Sequence, residues 1–341
     1  MIVDLRSDTV TKPTKAMLAA MLSAEVGDDV FEEDPTLNAL EAKAAAMFGH
    51  EAGLFCPSGT MTNQVAIRVH THAGAEVICD RSSHVYNYEG GGIAVNSRAS
   101  VRLLHGDRGR FTGDDVRANI NNPNDVHLPL TKLVCVEDTC NRGGGCFYDL
   151  ETLKGIQQAT KEAGLPLHLD GARVFNALVE TGYDYVEYGQ LFDSISVCLS
   201  KGLGAPIGSV LLGSMEFIRS ARRVRKVLGG GMRQVGILAA AADYALDHHI
   251  TRLKEDHERG RALGAELAKQ AYVKEVIPVE TNIVVFVLND DVPQADFLAN
   301  CQQNGIRCVG FGPQRVRMVT HLDIGDAHME ALTGRLSQLW N

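Results

Sequence analysis

Between about residue 16 and residue 250 the chain alternates short apolar runs with helix-patterned stretches, and this rhythm constrains the fold most. Glu76-Val-Ile-Cys79, Leu133-Val-Cys-Val-Glu137, Leu165-Pro-Leu-His-Leu-Asp170, Ser194-Ile-Ser-Val-Cys-Leu199 and Ser209-Val-Leu-Leu212 each read as a buried strand. Strands without a solvated face, separated by helices such as the one over 151–163, form a mainly parallel sheet covered on both sides. The fold class is therefore α/β. At 341 residues the chain exceeds one typical core, so two domains are expected. The alanine-rich helix over 235–248 leads into the charged run 251–259, which places the boundary on or near a connecting helix. Residues 16–250 then form the large domain. Residues 251–341 form a smaller C-terminal α+β domain with strands at 282–288 and 315–319. Residues 1–15 are polar and hydroxyl-rich, with Pro13 stopping any early helix, and are expected to lie over the surface as an arm.

A net charge of −9 argues against broad nucleic-acid or anionic-membrane binding. No apolar span reaches transmembrane length, and Asp4 and Arg6 bring charge too early for a secretion signal. Cys56, Cys79, Cys135, Cys198 and Cys308 fall inside apolar strands. The spacing of Cys135, Cys140 and Cys146 matches no CxxC zinc pattern, so the thiols read as reduced core residues of a cytosolic protein, with no metal. His70 with His72, and His248 with His249, lack the companions of a metal site and are expected at exposed positions. The run Arg219-Ser-Ala-Arg-Arg-Val-Arg-Lys226 is the one strongly basic region, expected as a solvated helix face ending at Gly229-Gly-Gly231.

Within this frame Lys201 stands out. It follows the strand 194–199 directly and is followed by Gly202, Gly204 and Gly208. An amine on a rigid, poorly hydrated strand end is suited to Schiff-base chemistry, most often with pyridoxal phosphate (PLP). Such a site needs a carboxylate for the pyridine nitrogen and a cradle for the phosphate. Asp170 ends its strand 31 residues before the lysine, room for one helix and one strand, and sits where open α/β sheets bind ligands. A helix N-cap is the other reading of Asp170. Ser58-Gly-Thr60 precedes a helix over 61–69, so hydroxyls and backbone N–H groups meet the positive helix end. A tight turn with an N-cap would use the same residues. His84 follows the strand 76–79 and could lay its ring on the pyridine face. Arg233, after the glycine triplet, could reach a phosphate, that of a neighbouring subunit included.

Assembled in order, these pieces resemble the L-threonine aldolases of the fold-type I, aspartate aminotransferase-like PLP enzymes. The resemblance runs over essentially the whole chain. It is carried by Asp4-Leu-Arg-Ser-Asp-Thr-Val-Thr11, Val26-Gly-Asp-Asp-Val30, Glu33-Asp-Pro35, Pro57-Ser-Gly-Thr-Met61, Asp170-Gly-Ala-Arg173, Ser200-Lys-Gly-Leu-Gly-Ala-Pro206 and Gly229-Gly-Gly-Met-Arg-Gln234. The resemblance implies that Lys201 carries PLP as a Schiff base, Asp170 pairs with the pyridine nitrogen and His84 stacks on the ring. It implies that Ser58, Gly59 and Thr60 hold the phosphate. Ser7, Arg173 and Arg317 would bind the substrate carboxylate, Arg173 also lying near the cofactor's phenolic oxygen. It implies a homotetramer with sites at a subunit interface, which suits Arg233 as a shared phosphate ligand. The implied reaction is reversible cleavage of L-threonine or L-allo-threonine to glycine and acetaldehyde. His84, His127 or a bound water would serve as base. Cys140 stands where relatives often carry His or another polar residue, a departure that bears on substrate preference rather than reaction class. The same residues serve PLP-dependent β-elimination or transamination, separated from aldol cleavage only by family likeness. A non-catalytic PLP-binding protein would not need Lys201, Asp170 and both carboxylate arginines.

Overall fold

The computed structural model describes residues 1–340. Its centre is a seven-stranded sheet in the order Ala52–Cys56, Ser209–Gly213, Ser194–Cys198, Leu167–Gly171, Leu130–Glu137, Ala75–Asp80, Ser100–Leu104. Only Ser209–Gly213 runs against its neighbours; all other adjacent pairs are parallel. Five strands are buried at every position, or all but one. That fits a sheet sandwiched between helices, with Leu37, Leu40, Ile156 and Ala241 packed on one side and Val65, Ala66 and Phe217 on another.

A second core gathers Leu263, Leu267, Phe286, Phe297, Met318 and Leu332. Its antiparallel sheet runs in the order Val309–Gly310, Arg315–Val319, Ile283–Leu288, Val273–Val276. Leu253 belongs to the first core and Leu263 to the second, so the changeover falls within the helix Leu253–Leu267. Among the described residues no helix is long and apolar enough to cross a membrane.

Four expectations are corrected. The first residues do not lie over the surface: Val3 and Leu5 are fully buried in the second core. Val3–Asp4 pairs in parallel with Ile306–Arg307, and the Val319 N–H donates to the Leu5 carbonyl at 2.8 Å. Alternation explains this, since Asp4 and Arg6 take the other face and pair at 2.6 Å. The basic helix, Met215–Val227, is solvated only in part: Arg225 is 2% exposed. It follows Phe217 and Ala221 at intervals of four and so shares their buried face. There it donates to the Phe55 carbonyl at 2.7 Å and pairs with Asp29 at 2.6 Å. Finally, His70 stacks on Phe217 and His249 is buried against the Leu203 carbonyl, so neither is the exposed residue expected. Cys308, assigned to a strand from sequence, lies between two short strands rather than in one.

Candidate active site

Strand ends assemble the site. The Lys201 segment joins Ser194–Cys198 to its antiparallel neighbour Ser209–Gly213. It is tied by the Leu199 N–H to the Gly208 carbonyl at 3.0 Å and the Gly204 N–H to the Lys201 carbonyl at 2.9 Å. Gly208 has φ of +123°, and a Cβ there would collide with the Phe55 ring, so the tight return needs glycine. From the other side the Thr11 hydroxyl donates to the Lys201 carbonyl at 3.0 Å. The lysine backbone is thus fixed by its own hairpin and by the N-terminal segment.

Asp170 ends the neighbouring parallel strand and is 2% exposed. Its Oδ1 accepts from the Ala172 N–H at 3.2 Å, while Oδ2 is buried without a hydrogen-bond partner. Both sequence readings are therefore half true: one oxygen caps the following turn and the other awaits a donor. His84 opens the short helix His84–Asn87 and faces Glu89 through Nδ1 at 2.9 Å. Ligand-capable atoms of His84, Glu89 and Asp170 lie within 4.8 Å of one another. Burial works against charge on His84, but the Glu89 hydrogen bond and the charges of Asp170, Glu89 and Glu137 win and raise it above the ordinary histidine value.

Glu137, at the end of Leu130–Glu137, accepts from the His84 N–H at 2.6 Å and the Asn141 N–H at 2.8 Å. Burial, reinforced by the Asp170 charge, pushes it up to about 7 against those bonds. Cys140 is buried beside it, its Sγ 3.1 Å from the Glu137 carbonyl.

The opposite wall is cationic. Arg173 donates from Nε to Asp8 Oδ2 and from Nη2 to Asp8 Oδ1, both at 2.7 Å, a buried two-point pair. Burial pushes the Asp8 carboxyl up, but Arg173 first and Lys201 after it outweigh burial and hold it at about 2. Ser7 caps the short helix Asp8–Val10 beside this pair. Arg317 donates to Asn141 Oδ1 at 2.9 Å and to the Arg6 carbonyl at 3.0 Å, leaving Nε buried and unpartnered. Burial and the nearby Arg173 charge bring Arg317 down to about 10. A guanidinium depressed by burial and a neighbouring cation is a ready receptor for an anion.

Ser58 caps the helix Gly59–His70 by accepting from the Met61 N–H at 3.2 Å. A Cβ at Gly59 would lie 3.5 Å from Ser209 Oγ, itself buried and unpartnered, which places this helix start against the strand beyond Lys201. Burial pushes the adjoining Cys198 thiol up, and the Lys201 charge, with Ser200 beside the sulfur, brings it net below the usual thiol range.

Two predicted residues lie apart. His127 is exposed in the segment between Asn119 and Leu130, its N–H donating to Asp125 at 3.0 Å. Arg233 is exposed and pairs with Asp28 at 2.8 Å. Among the described residues no hydrogen bond or ion pair ties either to the groups above. Sequence reasoning passed over Asp8, Glu89, Asn141 and Glu137. Asp8 lies inside the run Asp4–Thr11 and Glu137 ends the strand Leu133–Glu137, which was the one signal available for them.

The beta-eliminating lyase family model matches residues 4–291. Low specificity L-threonine aldolase of Escherichia coli (strain K12) is 42% identical over 324 residues, covering 95% of each chain. Low-specificity L-threonine aldolase 1 of Arabidopsis thaliana is 40% identical over 334 residues, 96% of this chain and 93% of its own. In fold, Leishmania major threonine aldolase superposes with a TM-score of 0.84 at 19% identity over 99% of each chain. The architecture is that of the fold-type I enzymes. The chain belongs to the beta-eliminating lyase family and, within it, groups with the low-specificity L-threonine aldolases.

Proposed function

We propose that this protein is a PLP-dependent aldolase that cleaves L-threonine, L-allo-threonine and related β-hydroxy-α-amino acids to glycine and an aldehyde. The observation that carries the reading is Asp170 Oδ2, a buried carboxylate oxygen without a donor at the end of the strand next to Lys201. A protonated ring nitrogen fits it, with His84 over the ring, Lys201 as the amine for the aldehyde and Ser58-Gly-Thr60 as the phosphate cradle. When bound, PLP supplies an electron sink for the pair released as the Cα–Cβ bond breaks.

The chain's own residues do the rest. Asp170, through its unpartnered Oδ2, would accept the proton of the ring nitrogen and hold it in place. Arg317, with its free Nε, and Arg173 with Ser7 receive the substrate carboxylate and fix rotation about the Cα bonds. The Arg173 edge held by Asp8 cannot swing away, so the clamp is oriented before substrate arrives. The β-hydroxyl proton passes to His84, to a water, or to His127 delivered by another subunit. Threonine yields glycine and acetaldehyde, with every atom accounted for.

In this reading the protein is a homotetramer, and Arg233 and His127, exposed within one chain, are supplied by neighbours to the phosphate and to the substrate hydroxyl. Eight free thiols, seven of them buried, suit a reducing, cytoplasmic setting. The test is to incubate the pure protein with the four threonine stereoisomers and follow acetaldehyde. L-specific release is expected. Ammonia and a keto acid would instead mark β-elimination or transamination, and cleavage confined to D-isomers would overturn the assignment.

A further inference from the structure

Glu89 has no role so far, yet it is a fully enclosed carboxylate in contact with His84. Its side chain has 0% exposure, a rare state for a carboxylate, and among the described residues no Lys or Arg forms an ion pair with it. Neutral donors hold it instead. Asn63 Nδ2 donates to Oε1 at 2.9 Å and Gln64 Nε2 donates to Oε2 at 2.5 Å. Gln64 can take this position because residue 92 is glycine; a Cβ there would run into the Gln64 amide.

The network beyond Glu89 fixes the direction of each bond. Since a carboxylate only accepts, Asn63 turns its nitrogen to Glu89 and its Oδ1 to His168 Nε2, 3.1 Å away. His168 Nδ1 then lies 2.9 Å from Ser194 Oγ, and Ser194 Oγ lies 2.8 Å from His70 Nε2. Burial pushes His168 down to about 3 and His70 down to about 4, so this buried path is uncharged at neutral pH. The remaining position on Glu89 Oε1 can be filled only by a proton on His84 Nδ1, at 2.9 Å.

We propose that Glu89 is a positioning residue: it holds the Nδ1 proton of His84, fixes the ring's angle and leaves Nε2 as the basic nitrogen turned to cofactor and substrate. The inference rests on the functional reading above and deepens it by naming the nitrogen that receives the β-hydroxyl proton when His84 is the base. A carboxylate behind an imidazole orients the ring and raises the basicity of its far nitrogen. The other groups facing His84 are Asp170, Glu137, whose carboxylate binds its backbone N–H, and the Tyr88 ring at 5.7 Å. None of these takes the Nδ1 proton.

Nitrogen-15 NMR of His84 in the PLP-loaded and PLP-free protein tests this directly. Above its titration, neutral His84 is expected to carry its proton on Nδ1 with Nε2 bare; this reading of the wild type depends on no variant folding. In Glu89→Gln, which keeps the shape but not the charge, the titration should fall by about one pH unit or more and the two tautomers should mix. Glu89→Asp, which keeps the charge, should lie nearer the wild type. The acid limb of kcat/KM for threonine cleavage should move to lower pH in Glu89→Gln, with kcat down about tenfold or more and KM changed less. A proton on Nε2 in the wild type, or a titration unmoved in Glu89→Gln, overturns the proposal. Failure of the wild type to release acetaldehyde would remove the functional reading but would leave the NMR result to decide Glu89.

Discussion

Asp8 and Glu137 are both buried carboxylates in the same site, and they behave in opposite ways. Asp8 is held at about 2, whereas Glu137 is pushed up to about 7. Burial acts on both in the same direction. What differs is the company: Asp8 has the Arg173 guanidinium on both oxygens, while Glu137 has the Asp170 charge beside it and in return backbone N–H groups and, last, the His84 charge. Asp138, next along the chain, shows the same rule, pushed up to about 7 by burial with the Tyr188 hydroxyl donating at 2.7 Å. The two walls of the site therefore carry opposite fields. The Arg173–Arg317 wall is short of anions and suits an amino-acid carboxylate, and the Asp170–Glu89–Glu137 wall is short of cations and suits a protonated ring.

Removing one carboxylate from each wall should give unlike results. Asp8→Asn leaves Arg173 buried and unpaired and should cost about 3–5 kcal/mol in denaturant unfolding. A loss under about 1 kcal/mol would mean that water or another group already neutralises Arg173. Asp170→Asn should cost little stability, because it removes a charge that Glu137 opposes, yet kcat should fall about 10²–10³-fold as a preorganised charge is lost. If Asp170→Asn proved the less stable of the two, the contrast between the walls would be wrong. Arg317→Leu takes away one half of the anion receptor and should raise KM about 10²-fold with a smaller effect on kcat. An equal fall in kcat would show that Arg317 acts mainly on the transition state.

The cofactor wall was more legible in the sequence than the substrate wall. Lys201 and Asp170 follow apolar strands, and strand ends can be found from period and composition alone. The Asp8–Arg173 pair spans 165 positions, and no local pattern announces a partner at that distance. Arg173, Arg317 and Ser7 entered through the family resemblance, not through periodicity. Glu89 was hidden differently: it lies in a polar stretch whose residues look solvated, and its burial depends on Asn63, Gln64 and the absence of a side chain at Gly92. Arg225 misled in the same way, because a run of basic residues draws the eye to charge while the interval of four to Ala221 and Phe217 decides which face is buried. The arm failed for want of length: Val3 and Leu5 offer two apolar residues of alternation, too few to distinguish a strand from a tail.

The smallest predicted effect is in how these carboxylates respond to pH. Asp8 is ionised in folded and unfolded chains alike from pH 5 to 8, so the deficit of Asp8→Asn should be flat across that range. Below pH 4 the wild type loses Asp8's contribution as pH falls towards its folded value of about 2, and the deficit should shrink by about 2 kcal/mol. Asp138 has the opposite sign. Its folded form binds a proton up to about pH 7 and its unfolded form only to the ordinary carboxylate range, so its contribution falls as pH rises between them. Asp138→Asn, which still offers an amide oxygen to Tyr188, lacks that loss. It should gain about 2–3 kcal/mol on the wild type between pH 5 and pH 8. Buried neutral His70 and His168 destabilise both chains as pH falls and cancel in the difference. Urea unfolding of the PLP-free proteins at pH 5 and 8 measures it. A difference that stayed constant would show that Asp138 is already paired as an ion, and that burial without a cation does not by itself set the charge on this wall.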